Sequence, residues 1–389
     1  MQSRLYLTRG VLMAGLVFAG VGAAPVSAGP GNGININEWY LHPYLNLAET
    51  LDSNVFLDKD NEEDDFSTVL EYGLGVTHAT EKLSLAGRLW GLEERYNDLD
   101  ALDHSDYGDT VQLGAVTPGG TEIILRQEYS QLEDTDYTTG TVEDFAVQRL
   151  SVSFNRQITD KTAAGLGYAY KSRDYDSSSL LDWQQNLIDV DADYDITEKS
   201  ALYLQVGLGL QDGDGNDGQG ESYNALLGVK SRRSDKLRAQ AALGVIGLNS
   251  DDADFSELGF AGSLAWRATE KIELDAEAER EIQPASIARN NYHIITTAKA
   301  GVGYYVLTQL KLSAILAYRN FDLENPYIFE GEPRHKEEDN WTGILRLDYQ
   351  APAEFLKVFL EGKYNEQSAT IDQLDYEQTV VSLGVDLTY

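Results

Sequence analysis

The sequence predicts an all-β fold: a single transmembrane antiparallel up-and-down β-barrel of about 18 strands, with short periplasmic turns and longer acidic extracellular loops. Three observations predict it. Segments of about 10 residues alternate apolar and polar side chains, the period of a wall between two environments. A tight polar turn recurs at intervals of roughly 35 to 44 residues, the mark of a repeated unit. Beyond the first 28 residues, no unbroken apolar stretch reaches the ~18 residues that a membrane helix needs.

The chain opens with Arg4 and Arg9 ahead of an apolar run over 11–23, and Val26-Ser27-Ala28 supplies a small-x-small cleavage pattern. Residues 1–28 therefore read as a secretory signal peptide, 29–40 as a short Gly/Asn-rich periplasmic segment and 41–389 as the barrel. An exported chain with no cysteine has no disulfides to draw on, so its stability must come from an extensive hydrogen-bonded fold. No linker, Pro-rich hinge or shift in composition divides the chain.

The alternation then yields strands at 41–51, 66–78, 83–96, 109–116, 121–131, 145–156, 164–173, 183–194 and 201–211. The second half continues at 223–232, 237–248, 255–267, 272–282, 292–305, 310–321, 341–349, 355–364 and 376–389. In the clearest early strand Leu70, Tyr72, Leu74 and Val76 alternate with Val69, Glu71, Gly73, Gly75 and Thr77. The recurring turn is Ala79-Thr80-Glu81-Lys82, echoed by Ile158-Thr159-Asp160-Lys161, Ile196-Thr197-Glu198-Lys199, Arg233-Ser234-Asp235-Lys236 and Ala268-Thr269-Glu270-Lys271. Its hydroxyl and carboxylate suit a tight turn because they accept local backbone N–H groups. Each period holds two strands and one longer polar loop, hence one hairpin.

Formal charge is −34, with 64 acidic residues against 30 basic, which disfavours nucleic acid as a partner. By the alternation rule the inner wall carries only about −3. Loops at 52–65, 98–106, 133–136, 174–182, 212–221, 251–254, 322–339 and 366–375 hold about −30, and barrel rules set such loops outside the cell. They solvate the surface, draw cations to the mouth or bridge through divalent cations to anionic surface glycans. The 212–221 run, rich in Asp and Gly, invites calcium, but its spacing departs from an EF-hand and Tyr223 stands where a bidentate Glu belongs.

Two strands put carboxylates on one face: Asp189, Asp191 and Asp193, and Glu273, Asp275, Glu277, Glu279 and Glu281. Lipid does not accept such rows, so they face the lumen. Lys171, Arg173, Lys230, Arg238, Lys299, Lys311, Arg319, Arg346 and Lys357 project inward from other strands. Cross-strand ion pairs that hold the wall are one reading. Opposed ladders that set a transverse field on solutes are the other. The five histidines, His42, His78, His104, His293 and His335, have no metal spacing, and no nucleophile motif frames a Ser or Asp. No enzyme activity, metal or cofactor is expected.

The last strand ends on an aromatic. Ser382, Gly384, Leu387 and Tyr389 resemble the C-terminal signal by which the barrel assembly machinery recognises outer-membrane barrels. Leu41-His42-Pro43-Tyr44-Leu45-Asn46-Leu47 followed by Asp52-Ser53-Asn54-Val55-Phe56 is similar to the opening of an outer-membrane β-barrel porin family associated with exopolysaccharide operons. The resemblance implies a channel for export of an exopolysaccharide, in contact with outer-membrane lipid, lipopolysaccharide and periplasmic polysaccharide export proteins. The lumen is not dominantly basic, so a glycan cargo is expected to be neutral or mixed in charge. A passive cation-preferring porin and a closed structural or adhesive barrel remain the alternatives.

Overall fold

The computed structural model describes residues 33–135, 142–176, 182–213, 220–231, 236–250, 254–287, 290–323, 327–329 and 332–389. The expected signal peptide lies outside the described residues. The strands are β1 (Ile34–Ile36), β2 (Trp39–Asp52), β3 (Asp65–Ala79), β4 (Leu83–Tyr96), β5 (His104–Val116), β6 (Thr121–Thr135) and β7 (Val142–Thr159). They continue with β8 (Thr162–Tyr175), β9 (Trp183–Thr197), β10 (Ser200–Gly213), β11 (Gly220–Ser231), β12 (Leu237–Ser250), β13 (Asp254–Arg267) and β14 (Ile272–Ile287). The last are β15 (Asn290–Leu307), β16 (Leu310–Leu323), β17 (Tyr327–Phe329), β18 (Glu332–Arg334), β19 (Glu337–Gln350), β20 (Leu356–Ala369) and β21 (Tyr376–Thr388).

Every wall strand pairs antiparallel with its neighbour in the chain, and β21 returns to β2, from Tyr44 opposite Thr388 to Asp52 opposite Val380. The sheet has 19 strands, of which β1 is the one outside the closed wall. The all-β, eighteen-strand barrel expected from the alternation is thus the observed fold. Closure matters because a closed ladder pairs the backbone N–H and C=O groups of strands in hydrocarbon, where water is not available to do so.

The outward faces carry the apolar residues of the alternation. Leu227, Leu243, Leu258 and Leu345 are each more than half exposed, which suits lipid and would be a liability in water. Tyr194, Trp266, Tyr304 and Tyr349 lie outward near one rim, and Tyr107, Tyr223, Trp341 and Tyr364 near the other, as the aromatic girdles of a spanning barrel do.

One rim carries tight turns, and the expected hydroxyl contacts are present in them. The Oγ1 of Thr80 accepts from the N–H of Leu83 at 3.0 Å, that of Thr159 from Thr162 at 3.1 Å, that of Thr197 from Lys199 at 3.1 Å and that of Thr269 from Ile272 at 3.0 Å. Within the related Arg233-Ser234-Asp235-Lys236, only Lys236 is among the described residues.

The other rim differs from the sequence reading in detail. β6 runs on to Thr135, and β10 and β11 reach Gly213 and Gly220, so much of 133–136 and the ends of 212–221 are strand. Asp322 and residues 337–339 likewise belong to β16 and β19, with the small β17–β18 hairpin between them. Alternation fades there because both faces become polar, while the hydrogen-bond ladder continues. Residues 29–40, read as aperiodic, contribute β1. It folds back on β2 through Asn37 and Glu38, both at positive φ (51° and 71°), the conformation a two-residue hairpin turn requires. The wall itself starts at Trp39.

The turn hydroxyls give a direct test. Thr269→Val should lower unfolding stability by about 1 kcal/mol, read as a smaller urea midpoint for the barrel folded in vesicles, whereas Thr269→Ser should leave it near wild type.

Candidate functional site

The lumen is not evenly open. Two wall strands that never pair, β9 and β14, approach across it to within 8 Å between Cα atoms. The wall bends sharply to make this possible: β11 and β13, and β12 and β14, are next-nearest neighbours and also come within 8 Å, whereas a flat sheet sets such strands about 9.5 Å apart. Gly244 sits in this corner, where a Cβ would meet the Ala225 carbonyl oxygen at 1.8 Å. No other residue type fits.

Beyond the corner the wall parts. β13 pairs with β14 only from Arg267 opposite Glu273 to Phe260 opposite Arg280, while β14 and β15 stay paired much further, to Pro284 opposite Tyr292 and Ile287 opposite Asn290. Pro284 has no N–H to give to a ladder. The outer part of the β14–β15 hairpin leans into the lumen. Tyr292, His293, Ile294 and Ile295 are all buried, at most 4% exposed, although alternate residues of a wall strand should face lipid. The Tyr292 ring lies over Gly220 of β11, where a Cβ would stand 2.6 Å from it. Ile246 and Leu248, on the inner face of β12, are buried as well.

The pinch leaves a cavity of about 380 Å³ between the two walls. Arg149, Lys171, Arg173 and Asp189 line it from β7, β8 and β9; Glu277, Glu279, Glu281, Lys299 and Arg319 line it from β14, β15 and β16. Arg149 stands directly opposite Lys171 in the β7–β8 ladder. Like charges in that position repel unless carboxylates compensate them. Glu128 neighbours Arg149 in the ladder, and Asp189 and Glu281 bear electrostatically on both cations. Glu281 belongs to the far wall, so its attraction to Lys171 spans the lumen. Arg173 donates to the Tyr175 hydroxyl at 3.1 Å and stacks 4.1 Å above the Phe145 ring.

The remaining inward residues near the tight-turn rim do a different job. Lys230 meets the Asp193 carboxylate at 2.6 Å and Lys311 meets Glu273 at 2.8 Å. Arg346 donates to Asp348 (2.9 Å), Glu361 (3.1 Å) and Asp386 (3.5 Å), and Lys357 to Asp386 at 2.6 Å. Asn46 also donates to Asp386. This belt ties β19, β20, β21 and β2 together at the closure seam. It continues through Tyr44, which accepts from Arg88 at 2.5 Å, and through Arg88 to Glu71 at 2.8 Å. Asp191 and Asp275 stand between the two regions, opposite Gly165 and Gly301. Arg238 is exposed near the turn rim.

The inward charges thus fall into two groups, cross-strand pairs in the belt and charges that face one another across the cavity at the pinch. Sequence reasoning passed over Arg149, Tyr44, Arg88, Asp348, Glu361 and Asp386. Arg149 was findable, since Leu150 and Phe154 face lipid and fix the opposite parity for Arg149 and Ser153. The inward lean of β14–β15 had no such signal.

At the mouth, the loop after β2 is well held. Asp58 accepts from the N–H groups of Asp60 (2.8 Å) and Asn61 (3.0 Å), which hold its carboxyl below the usual carboxylate range. Lys59 bridges to Asp375 at 2.8 Å. The Asp52-Ser53-Asn54 motif is a clasp on the seam: Gln378 donates to Asp52 at 2.8 Å, and Asn54, fully buried, donates to the carbonyls of Asp58 and Glu377 at 2.9 Å. In the last strand, Thr50 and Ser382 hydroxyls meet at 3.0 Å, the N–H of Tyr389 donates to Pro43 at 3.1 Å, and Leu387 lies opposite Leu45. Gly384 leaves room for the Phe359 ring, 2.5 Å from where a Cβ would stand. Among the described residues no group of His, Asp and Glu is arranged to hold a metal ion. The core of the calcium candidate, 214–219, lies outside the described residues.

The family model described as "Putative beta-barrel porin 2" matches residues 29–389. The chain belongs to this family. No curated protein matches it. Solved structures share its fold at low identity. The FrpB iron transporter of Neisseria meningitidis, in apoprotein form, is 10% identical with a TM-score of 0.50, over 92% of this chain and 82% of that one. Outer membrane protein opdK of Pseudomonas aeruginosa is 12% identical, TM-score 0.47, over 90% and 99%. OccAB4 of Acinetobacter baumannii is 11% identical, TM-score 0.49, over 90% and 98%. The likeness is one of fold: this family member is an outer-membrane β-barrel.

The belt at the seam gives a test of what holds the barrel shut. Asp386→Ala withdraws the carboxylate that Arg346, Lys357 and Asn46 share, and should cost about 2 kcal/mol, seen as an earlier loss of the heat-resistant gel form. Asp386→Asn should fall between the two.

Proposed function

We propose that the protein is a passive outer-membrane channel for small polar solutes. The pinch carries this reading: a lumen narrowed to a small cavity by β9 and β14, lined by both signs of charge. Opposed charges in a narrow, water-filled passage orient a polar solute and restore part of the hydration it sheds. Acidic loops at the mouth favour cations, yet Arg149, Lys171 and Arg173 oppose them at the pinch, so the balance is weak ion selectivity and not the marked cation preference that net charge alone would give.

A second reading is export of an exopolysaccharide, neutral or mixed in charge. The eighteen-strand circumference favours it, since a barrel of that size holds an aqueous lumen when nothing fills it. The parted β13–β14 seam favours it too, because the outer part of β14 has an unoccupied wall position to return to. On either reading the belt of exposed leucines meets lipid and lipopolysaccharide, and β21 meets the assembly machinery. Periplasmic export proteins would be partners on the second reading only.

Single-channel current from the protein refolded into a planar bilayer, under a salt gradient, separates these. The expected result is a steady conductance with weak ion preference, unaffected by oligosaccharides. Reversible block by neutral oligosaccharides would move the balance to export, and silence from folded barrels would leave a closed structural or adhesive barrel. Tyr292→Ala, which removes the ring laid over Gly220, should roughly double the conductance if the β14–β15 hairpin sets the narrowest point.

A further inference from the structure

We propose that the pinch is a recognition site for small zwitterionic solutes of amino-acid to dipeptide size, taking the carboxylate at Arg149 and Lys171 and the ammonium group at Glu279 and Glu281. This inference rests on the channel reading and names its solute class.

The first argument is placement. Arg149 and Lys171 are ladder partners on one wall, while Glu279 and Glu281 alternate along the inner face of β14 on the other. The charge of Lys171 bears on both glutamates, so cations and carboxylates face one another across the cavity. A solute that enters must give up water. Asp189 stands with the cations and Lys299 and Arg319 with the carboxylates, so each wall carries both signs; at the Arg149–Lys171 pair itself a lone anion gains and at the Glu279–Glu281 pair it is repelled, and a lone cation meets the reverse. A zwitterion lying across the cavity restores charge-assisted hydrogen bonds at both ends.

The second argument is the route in. The chain carries a formal charge of −34, and the loop after β2 exposes Asp60, Glu62, Glu63 and Asp64 at the mouth. This field turns free anions away. Cations pass the mouth and then meet Arg149, Lys171 and Arg173 grouped on β7 and β8. A solute with no net charge meets neither barrier, and only one with separated charges gains from the pinch. Gln205 and Asn224, also lining the cavity, offer amides to the peptide-like middle of such a solute.

The test uses four solutes of closely similar size that differ in charge: glycylglycine (zwitterion), acetylglycine (anion), glycylglycinamide (cation) and acetylglycinamide (neutral). Uptake of each, radiolabelled, is followed into vesicles holding the full-length mature barrel. Glycylglycine should enter about threefold faster than any of the others. The double variant Lys171→Met with Glu281→Gln, checked for folding by its gel mobility, should bring the four rates together. Equal rates in the wild type, or faster entry of acetylglycine, would overturn the zwitterion inference and leave the channel reading standing. Exclusion of all four by folded barrels would instead bring down the channel reading and this inference with it.

Discussion

The constraint on which the rest of this structure depends is that a strand in hydrocarbon has no water to satisfy its backbone. Eighteen strands meet it by closing on themselves, and the decisive contact is between the first and last wall strands, β2 and β21. That seam joins residues more than three hundred positions apart, so its closure carries the largest loop entropy in the fold. The molecule reinforces it at both ends. At the turn rim Asp386 gathers Arg346, Lys357 and Asn46; at the loop rim Asp52 and Asn54 grip Gln378 and the backbone of β21. The stretch of sequence most suggestive of family membership is therefore also the clasp that shuts the barrel.

Against that rule, the parting of β13 from β14 stands out. The two strands stop pairing beyond Phe260 opposite Arg280, while β14 stays paired with β15 and leans inward with it toward the opposite wall. The lean converts a wide barrel into a narrow one. It also brings the carboxylates of β14 opposite the cations of β7 and β8, so one departure from regular pairing creates both the constriction and its charge pattern.

The two charge populations inside the barrel differ in what they face. In the belt, partners lie on the same strand or one to two strands apart and their side chains close on each other at hydrogen-bond distance, so the charges spend their attraction on the wall. At the pinch, Lys171 and Glu281 act on each other across a cavity. The same residue types thus close on each other along the wall in one place and face each other across a cavity in the other, and the curvature of the sheet decides which.

What the sequence by itself determined is everything that depends on period two and on local turn chemistry. The parity of Leu70 and Tyr72, of the Asp189 and Glu273 ladders, and of Leu383 and Leu387 follows from alternation, because neighbouring side chains in a strand must point to opposite faces. The hydroxyls of Thr80, Thr159, Thr197 and Thr269 act within three residues of themselves, so each turn was legible from its own few residues. Only the tertiary structure decided which inward charges meet. Lys357 reaches Asp386 because strands adjacent in the sheet bring them together, and Glu281 reaches toward Lys171 because the sheet bends at Gly244 and parts beyond Phe260. Such contacts depend on curvature summed over many strands, a property no single segment encodes.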